Sequence, residues 1–139
     1  MDIFTTLDGR AFTAQPYTGP QPATPAALIA AIVGITGWNL NLADEVTDGK
    51  GGMTVCLAQS SCIFQGPPEP QKDEYHVFDS VQMAQAALGS ITYTLQMWAN
   101  PTRPDSVPIY FCTEGDRPIV VAGAYTLPID QPYHVELLE

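Results

Sequence analysis

The chain has 139 residues, the length of one domain able to bury a core without metal or disulfide staples. Only 14% of its residues are charged, where an ordinary soluble domain has roughly 25%. Five scattered basic residues (Arg10, Lys50, Lys72, Arg103, Arg117) against fifteen acidic ones give a net charge of −10, which disfavours a nucleic-acid backbone and argues against an anionic membrane as partner.

Residues 1–24 mix short apolar pairs (Ile3, Phe4; Ala11, Phe12) with Gly9, Pro16, Gly19, Pro20 and Pro22. That is too broken for a helix or a central strand and predicts an extended arm, packed along its own domain or reaching a neighbour. Met1 to Asp8 contain neither a basic nor an apolar run, so no secretory signal is expected. No stretch reaches the ~18–20 apolar residues of a membrane span.

Thr24-Pro25 opens a helix, with Thr24 as N-cap, Pro25 at its first position and Gly34 or Gly37 to end it. Its body, Ala26 to Val33, is apolar all round and must be covered on every side, by the domain or by a partner. Trp38, Leu40 and Leu42 then alternate with Asn39, Asn41 and Ala43, as do Met53, Val55 and Leu57 with Thr54, Cys56 and Ala58. The glycine-rich Asp48–Gly52 between them predicts a hairpin turn. Cys62-Ile63-Phe64 is a short apolar stretch before Pro67, Pro68 and Pro70, and Tyr75–Phe78 is extended.

A second short helix is expected over Val81–Leu88, capped by Asp79 or Ser80 and closed by Gly89. The clearest period in the chain follows. Ile91, Tyr93, Leu95, Met97 and Ala99 alternate with Thr92, Thr94, Gln96 and Trp98, which predicts a central strand with one buried face. Runs over Val107–Cys112, Ile119–Thr126 and Tyr133–Leu138, separated by short turns, predict further strands, and the short connections favour antiparallel pairing. The expected fold is α+β, mainly β: a compact antiparallel β-sandwich or barrel-like domain over 25–139, with two short helices and an extended N-terminal arm over 1–24.

No motif for chemistry emerges. The three cysteines, Cys56, Cys62 and Cys112, are expected to be free and buried. A zinc site would have to draw four ligands from these, His76 and His134, and the Cys56–Cys62 spacing is wider than a zinc knuckle. A cysteine nucleophile with His76 or His134 as base carries no local signal of activation. Asp48–Gly52 lacks a phosphate-loop spacing, and Asp44, Glu45, Asp48, Asp73 and Glu74 form no calcium loop. No catalytic residue, cofactor or metal is assigned.

The arm, the apolar helix, the compact β block and the scarcity of charge are together similar in general character to small virion proteins, such as phage capsid decoration or tail components. The expected function is a non-enzymatic structural protein with protein partners, forming a homo-oligomer or docking on a larger particle. Phe4, Phe12, Tyr17, Leu28, Ile29, Ile32 and Trp98 are the candidate interaction residues. The alternative is a β-sandwich carbohydrate-binding module that stacks a sugar on Trp98, helped by Tyr17, Tyr110, Tyr125 and Tyr133.

Overall fold

The computed structural model describes residues 2–7, 12–19, 21–49, 51–65, 71, 75–121 and 125–133. In chain order the elements are strands β1 (Asp2–Thr6) and β2 (Phe12–Pro16), helix α1 (Pro25–Thr36), strands β3 (Thr47–Gly49) and β4 (Gly52–Leu57), helix α2 (Cys62–Gln65), helix α3 (Ser80–Ala99), a 3-10 turn (Pro104–Ser106), and strands β5 (Ile109–Thr113), β6 (Ile119–Val121) and β7 (Tyr125–Leu127). The result is a small α+β domain with three sheets of two or three strands, and no barrel closes among the described residues.

Its centre is α3, not a strand. The Asp79 carboxylate accepts the Gln82 N–H at 2.8 Å, and the Gln82 side chain accepts the Phe78 N–H at 2.9 Å and donates to the Leu7 carbonyl at 3.1 Å. The helix then runs 20 residues and stops at Asn100, before Pro101. The predicted strand Ile91–Ala99 is therefore its second half, and Gly89 lies buried inside it rather than at its end. The reason lies in the neighbours. Residues alternating in sequence are also spaced i, i+4, so Ile91 and Leu95 form a helical stripe as readily as a strand face. Because α3 packs against β1, α1, α2, β5 and β6, burial reaches Ser90, Thr92 and Thr94 as well. Covering on several sides overrides the strand preference of the threonines and the intrinsic helix cost of about 1 kcal/mol for a glycine.

The capping of α1 follows the sequence. Thr24 Oγ1 accepts the Ala27 N–H at 3.2 Å, Pro25 opens the first turn, and Gly37, at φ 79°, donates its N–H to the Val33 carbonyl at 2.8 Å. Leu28, Ile29, Ile32 and Thr36 are buried, whereas Ala26, Ala30 and Gly34 are exposed along one stripe. With 12 residues in α1 and 20 in α3, against strands of three to six, the fold's weight falls on helices rather than strands.

The middle sheet has the order β3-β4-β5. Strands β3 and β4 pair antiparallel around Gly51, whose φ of 81° favours glycine. A Cβ on Gly52 would overlap the Pro108 carbonyl, which accepts the Met53 N–H at 3.1 Å. The expected strand Trp38–Leu42 joins β4 only through an antiparallel bridge from Leu42 to Leu57. Strand β5 pairs with β4 in parallel, Met53 opposite Ile109 through Leu57 opposite Thr113. This corrects the expected all-antiparallel order: α2 and α3 supply the crossover that parallel neighbours require.

In the expected run Ile119–Thr126, β6 and β7 pair antiparallel, and residues 122–124 lie outside the described residues. Of the expected strand Tyr133–Leu138 only Tyr133 is described; its N–H bonds to the Ile109 carbonyl at 2.9 Å, and residues 134–139 lie outside the described residues. No helix among the described residues is long and apolar enough to cross a membrane.

Candidate functional site

The N-terminal segment folds as an antiparallel hairpin in which Phe4 faces Ala14 and Thr5 faces Thr13. One edge of it is closed by side chains. Thr94 Oγ1 accepts the Phe4 N–H and donates to the Phe4 carbonyl, both at 3.0 Å, and Ser90 Oγ accepts the Thr6 N–H at 3.1 Å while donating to the Ala86 carbonyl at 2.7 Å. Two hydroxyls one helical turn apart thus stand in for a missing strand.

This arrangement fixes the direction of the backbone groups in β1 and β2. Since Phe4 directs its N–H and C=O toward α3, Phe4 and Ala14 are a non-hydrogen-bonded pair, and Thr5–Thr13 and Ile3–Gln15 are the bonded ones. The main-chain groups of Phe12 and Ala14, and the Pro16 carbonyl, consequently point away from β1. No strand among the described residues pairs with that edge, and β2 carries no charged side chain.

On the hairpin face of Thr5, Thr13 and Gln15 a groove opens toward α1. One lobe, of about 750 Å³, is lined by Thr5, Thr13, Gln15, Ile35 and Tyr75 among others. A second, of about 660 Å³, shares Gln15 and Ile35 and runs between Tyr17 and the small residues Ala27, Ala30, Ala31 and Gly34. Among the described residues, no Asp, Glu, Lys or Arg lines either lobe. Polar order comes from Tyr75, whose hydroxyl accepts from Gln15 Nε2 at 2.9 Å and Thr5 Oγ1 at 3.4 Å; its carbonyl accepts the Trp38 indole N–H at 3.3 Å. The described lining suits a neutral occupant.

Of the residues singled out from the sequence, Phe4 and Phe12 come together, half-buried against Tyr93 with ring centroids 4.8 and 4.7 Å from it. Tyr17 stands apart, in the second groove lobe. Leu28, Ile29 and Ile32 lie in the chain's own core. Trp98 belongs to α3, half-buried beside Phe4, Met97 and Pro101 around a cavity of about 290 Å³, so the expected platform on a sheet face is absent. Among the tyrosines offered for sugar stacking, Tyr110 is buried and Tyr133 sits edge-on to Phe111 at 5.8 Å. Ser90, Thr94, Gln15 and Tyr75 were not singled out. Only a helical reading of residues 90–94 would have placed both hydroxyls on one face.

The cysteines also depart from expectation. Cys56 and Cys112, directly opposite each other on β4 and β5, form a disulfide with a Cα–Cα distance of 4.4 Å. Cys62 alone is free, and burial pushes its thiol up to about 11, the reverse of an activated nucleophile. His76 is exposed and stacks edge-on with Phe78 at 4.7 Å, while His134 lies outside the described residues. One set of potential metal ligands converges among the described residues: the Cys56 and Cys112 sulfurs and an Asp116 carboxylate oxygen, all within 4.8 Å of one another. Comparison with family models, curated proteins and solved structures finds no match to this chain.

Proposed function

We propose that the protein is a non-enzymatic structural module that self-associates through the outer edge of β2, the mode of assembly expected of a small virion component such as a capsid decoration or tail protein. The observation that carries this reading is the asymmetry of the hairpin: hydroxyls of α3 close one edge, and the other, on an uncharged strand, pairs with no strand among the described residues. An open edge of this kind is a template for strand addition.

A second copy fits it with two-fold symmetry. Antiparallel pairing about Ala14 exchanges two Ala14 hydrogen bonds, and each Phe12 N–H reaches the Pro16 carbonyl of the other copy. Pro16 has no N–H to give, so the ladder ends there. Four hydrogen bonds at about 1 kcal/mol each only match an association cost that starts at about 4 kcal/mol. A single pairing is weak, and assembly gains strength from multivalency or from a neighbour's segment entering the groove.

Sedimentation of the full chain tests the reading, with Ala14→Pro as the variant. That substitution removes an N–H from the outer edge and leaves both flanking bonded pairs with β1 in place. Concentration-dependent oligomers that disappear in Ala14→Pro support the reading. A monomer at every concentration that docks on no assembly overturns it.

The alternative, a β-sandwich carbohydrate-binding module, draws support from the groove rather than from Trp98. Its hydroxyls and amide, with no ionic group among the described lining residues, are the chemistry a neutral glycan would meet. Glycan binding lost in Gln15→Ala and Tyr17→Ala but retained in Trp98→Ala would favour it.

A further inference from the structure

We infer that Cys56, Cys112 and Asp116 form a redox-gated site for one thiophilic divalent cation, zinc being the ordinary candidate. It is closed while the disulfide stands and open once the disulfide is reduced.

The sheet register carries this inference. Cys56 and Cys112 are direct partners on adjacent parallel strands, so both side chains project from the same face. That face is turned away from the apolar cluster built by Val55, Leu57, Ile109 and Phe111, whose burial holds β4 against β5. Breaking the S–S bond therefore does not part the two sulfurs; the strands keep them as neighbours. Tetrahedral zinc with Zn–S bonds of ~2.3 Å needs its sulfurs roughly 3.8 Å apart, which side-chain rotation alone can reach from this backbone spacing.

The third group comes from the turn after β5. Thr113 and Arg117 pair across it with bonds of 2.8 and 3.4 Å, and Asp116 takes a left-handed φ of 56° that brings its carboxylate to the sulfurs. Asp tolerates that conformation better than most residues. The cysteines are 6% and 3% exposed, whereas Asp116 is open to solvent, so an ion enters from the Asp116 side and its fourth position faces water. Two thiolates and one carboxylate are a borderline-soft set, suited to zinc or cobalt rather than calcium or magnesium.

The chemistry balances without further groups. A thiol or dithiol reductant delivers two electrons and two protons, the Cys56–Cys112 bond breaks, two S–H bonds form, and the reductant closes its own disulfide. The cation then displaces both thiol protons to solvent, making two metal–sulfur bonds and one metal–oxygen bond.

The test uses the full chain reduced with a phosphine, freed of excess reagent and titrated anaerobically with cobalt(II), then zinc(II), with backbone circular dichroism recorded throughout. The expected result is one cobalt per chain with a sulfur-to-cobalt charge-transfer band, displaced by one zinc. The oxidised chain should show no band, Cys62→Ser an unchanged one, and Asp116→Asn an affinity at least about ten-fold lower. The inference is overturned if the reduced chain unfolds, if no band appears, if Asp116→Asn binds as tightly as the parent, or if the band requires Cys62. It stands or falls independently of self-association through β2.

Discussion

At the scale of single residues, a buried thiol and a disulfide have opposite uses in this chain. The Cys62 side chain is almost wholly enclosed, and desolvation disfavours its thiolate, raising the thiol from its ordinary 9.0 to about 11. The sign of the linkage is fixed by that direction. Below about 9 the thiol is protonated in both folded and unfolded chains, and its contribution to stability is constant. As pH rises from about 9 toward 11 the unfolded chain gives up the proton while the folded chain keeps it, so stability falls by up to about 1.4 kcal/mol per pH unit. Denaturant midpoints measured across that range should drop more steeply in the parent than in Cys62→Ala, whose profile lacks this group. For the same reason iodoacetamide at neutral pH should leave Cys62 unlabelled in the folded chain. The residue was readable from the sequence as a buried thiol, but the disulfide was not. Cys56 and Cys112 are 56 positions apart, and only the parallel register places them opposite each other.

At the scale of elements, the junction between α3 and β1 makes a prediction with two signs. Thr94 and Thr92 are both buried on the same helix. The Thr94 hydroxyl satisfies the N–H and the carbonyl of Phe4, whereas Thr92 Oγ1 has no hydrogen-bond partner among the described residues. Replacing each with valine keeps the shape and removes one hydroxyl. Thr94→Val leaves two part-buried backbone groups unmet and should cost about 1–3 kcal/mol, while Thr92→Val relieves a buried orphan and should be neutral or stabilising. Urea unfolding of the two variants decides it; a similar loss in both would mean that the hydroxyls do not close the β1 edge. This junction also explains where sequence reading stopped. The ends of α1 were legible because Thr24, Pro25 and Gly37 act locally. The second half of α3 was not, because Ser90 and Thr94 serve by what they touch on β1 rather than by helix propensity, and an alternating row is compatible with both periods. The groove was illegible for a related reason: Gln15 and Tyr75 are 60 residues apart and meet only once the hairpin lies over the rest of the chain.

At the scale of the whole molecule, charge decides what kind of self-association is open to the chain. A net charge of −10 makes two copies repel at any separation within the screening length, while β2 and the described residues lining both lobes of the groove carry no charged side chain. Attraction at that edge then comes from main-chain hydrogen bonds and apolar contact, which salt leaves nearly unchanged, and the opposing repulsion comes from the rest of the surface. Salt shortens the screening length from about 10 Å at 0.1 M to about 3 Å at 1 M, which removes much of the repulsion and little of the attraction. Oligomers joined through β2 should therefore tighten as sodium chloride is raised, and tighten again as pH falls and the carboxylates lose charge. An interface built from the five basic residues against the acidic ones would loosen over the same salt range. Sedimentation equilibrium at low and high salt separates the two cases, because they differ in the direction of the change, and weakening with salt would remove β2 from consideration as the joining edge.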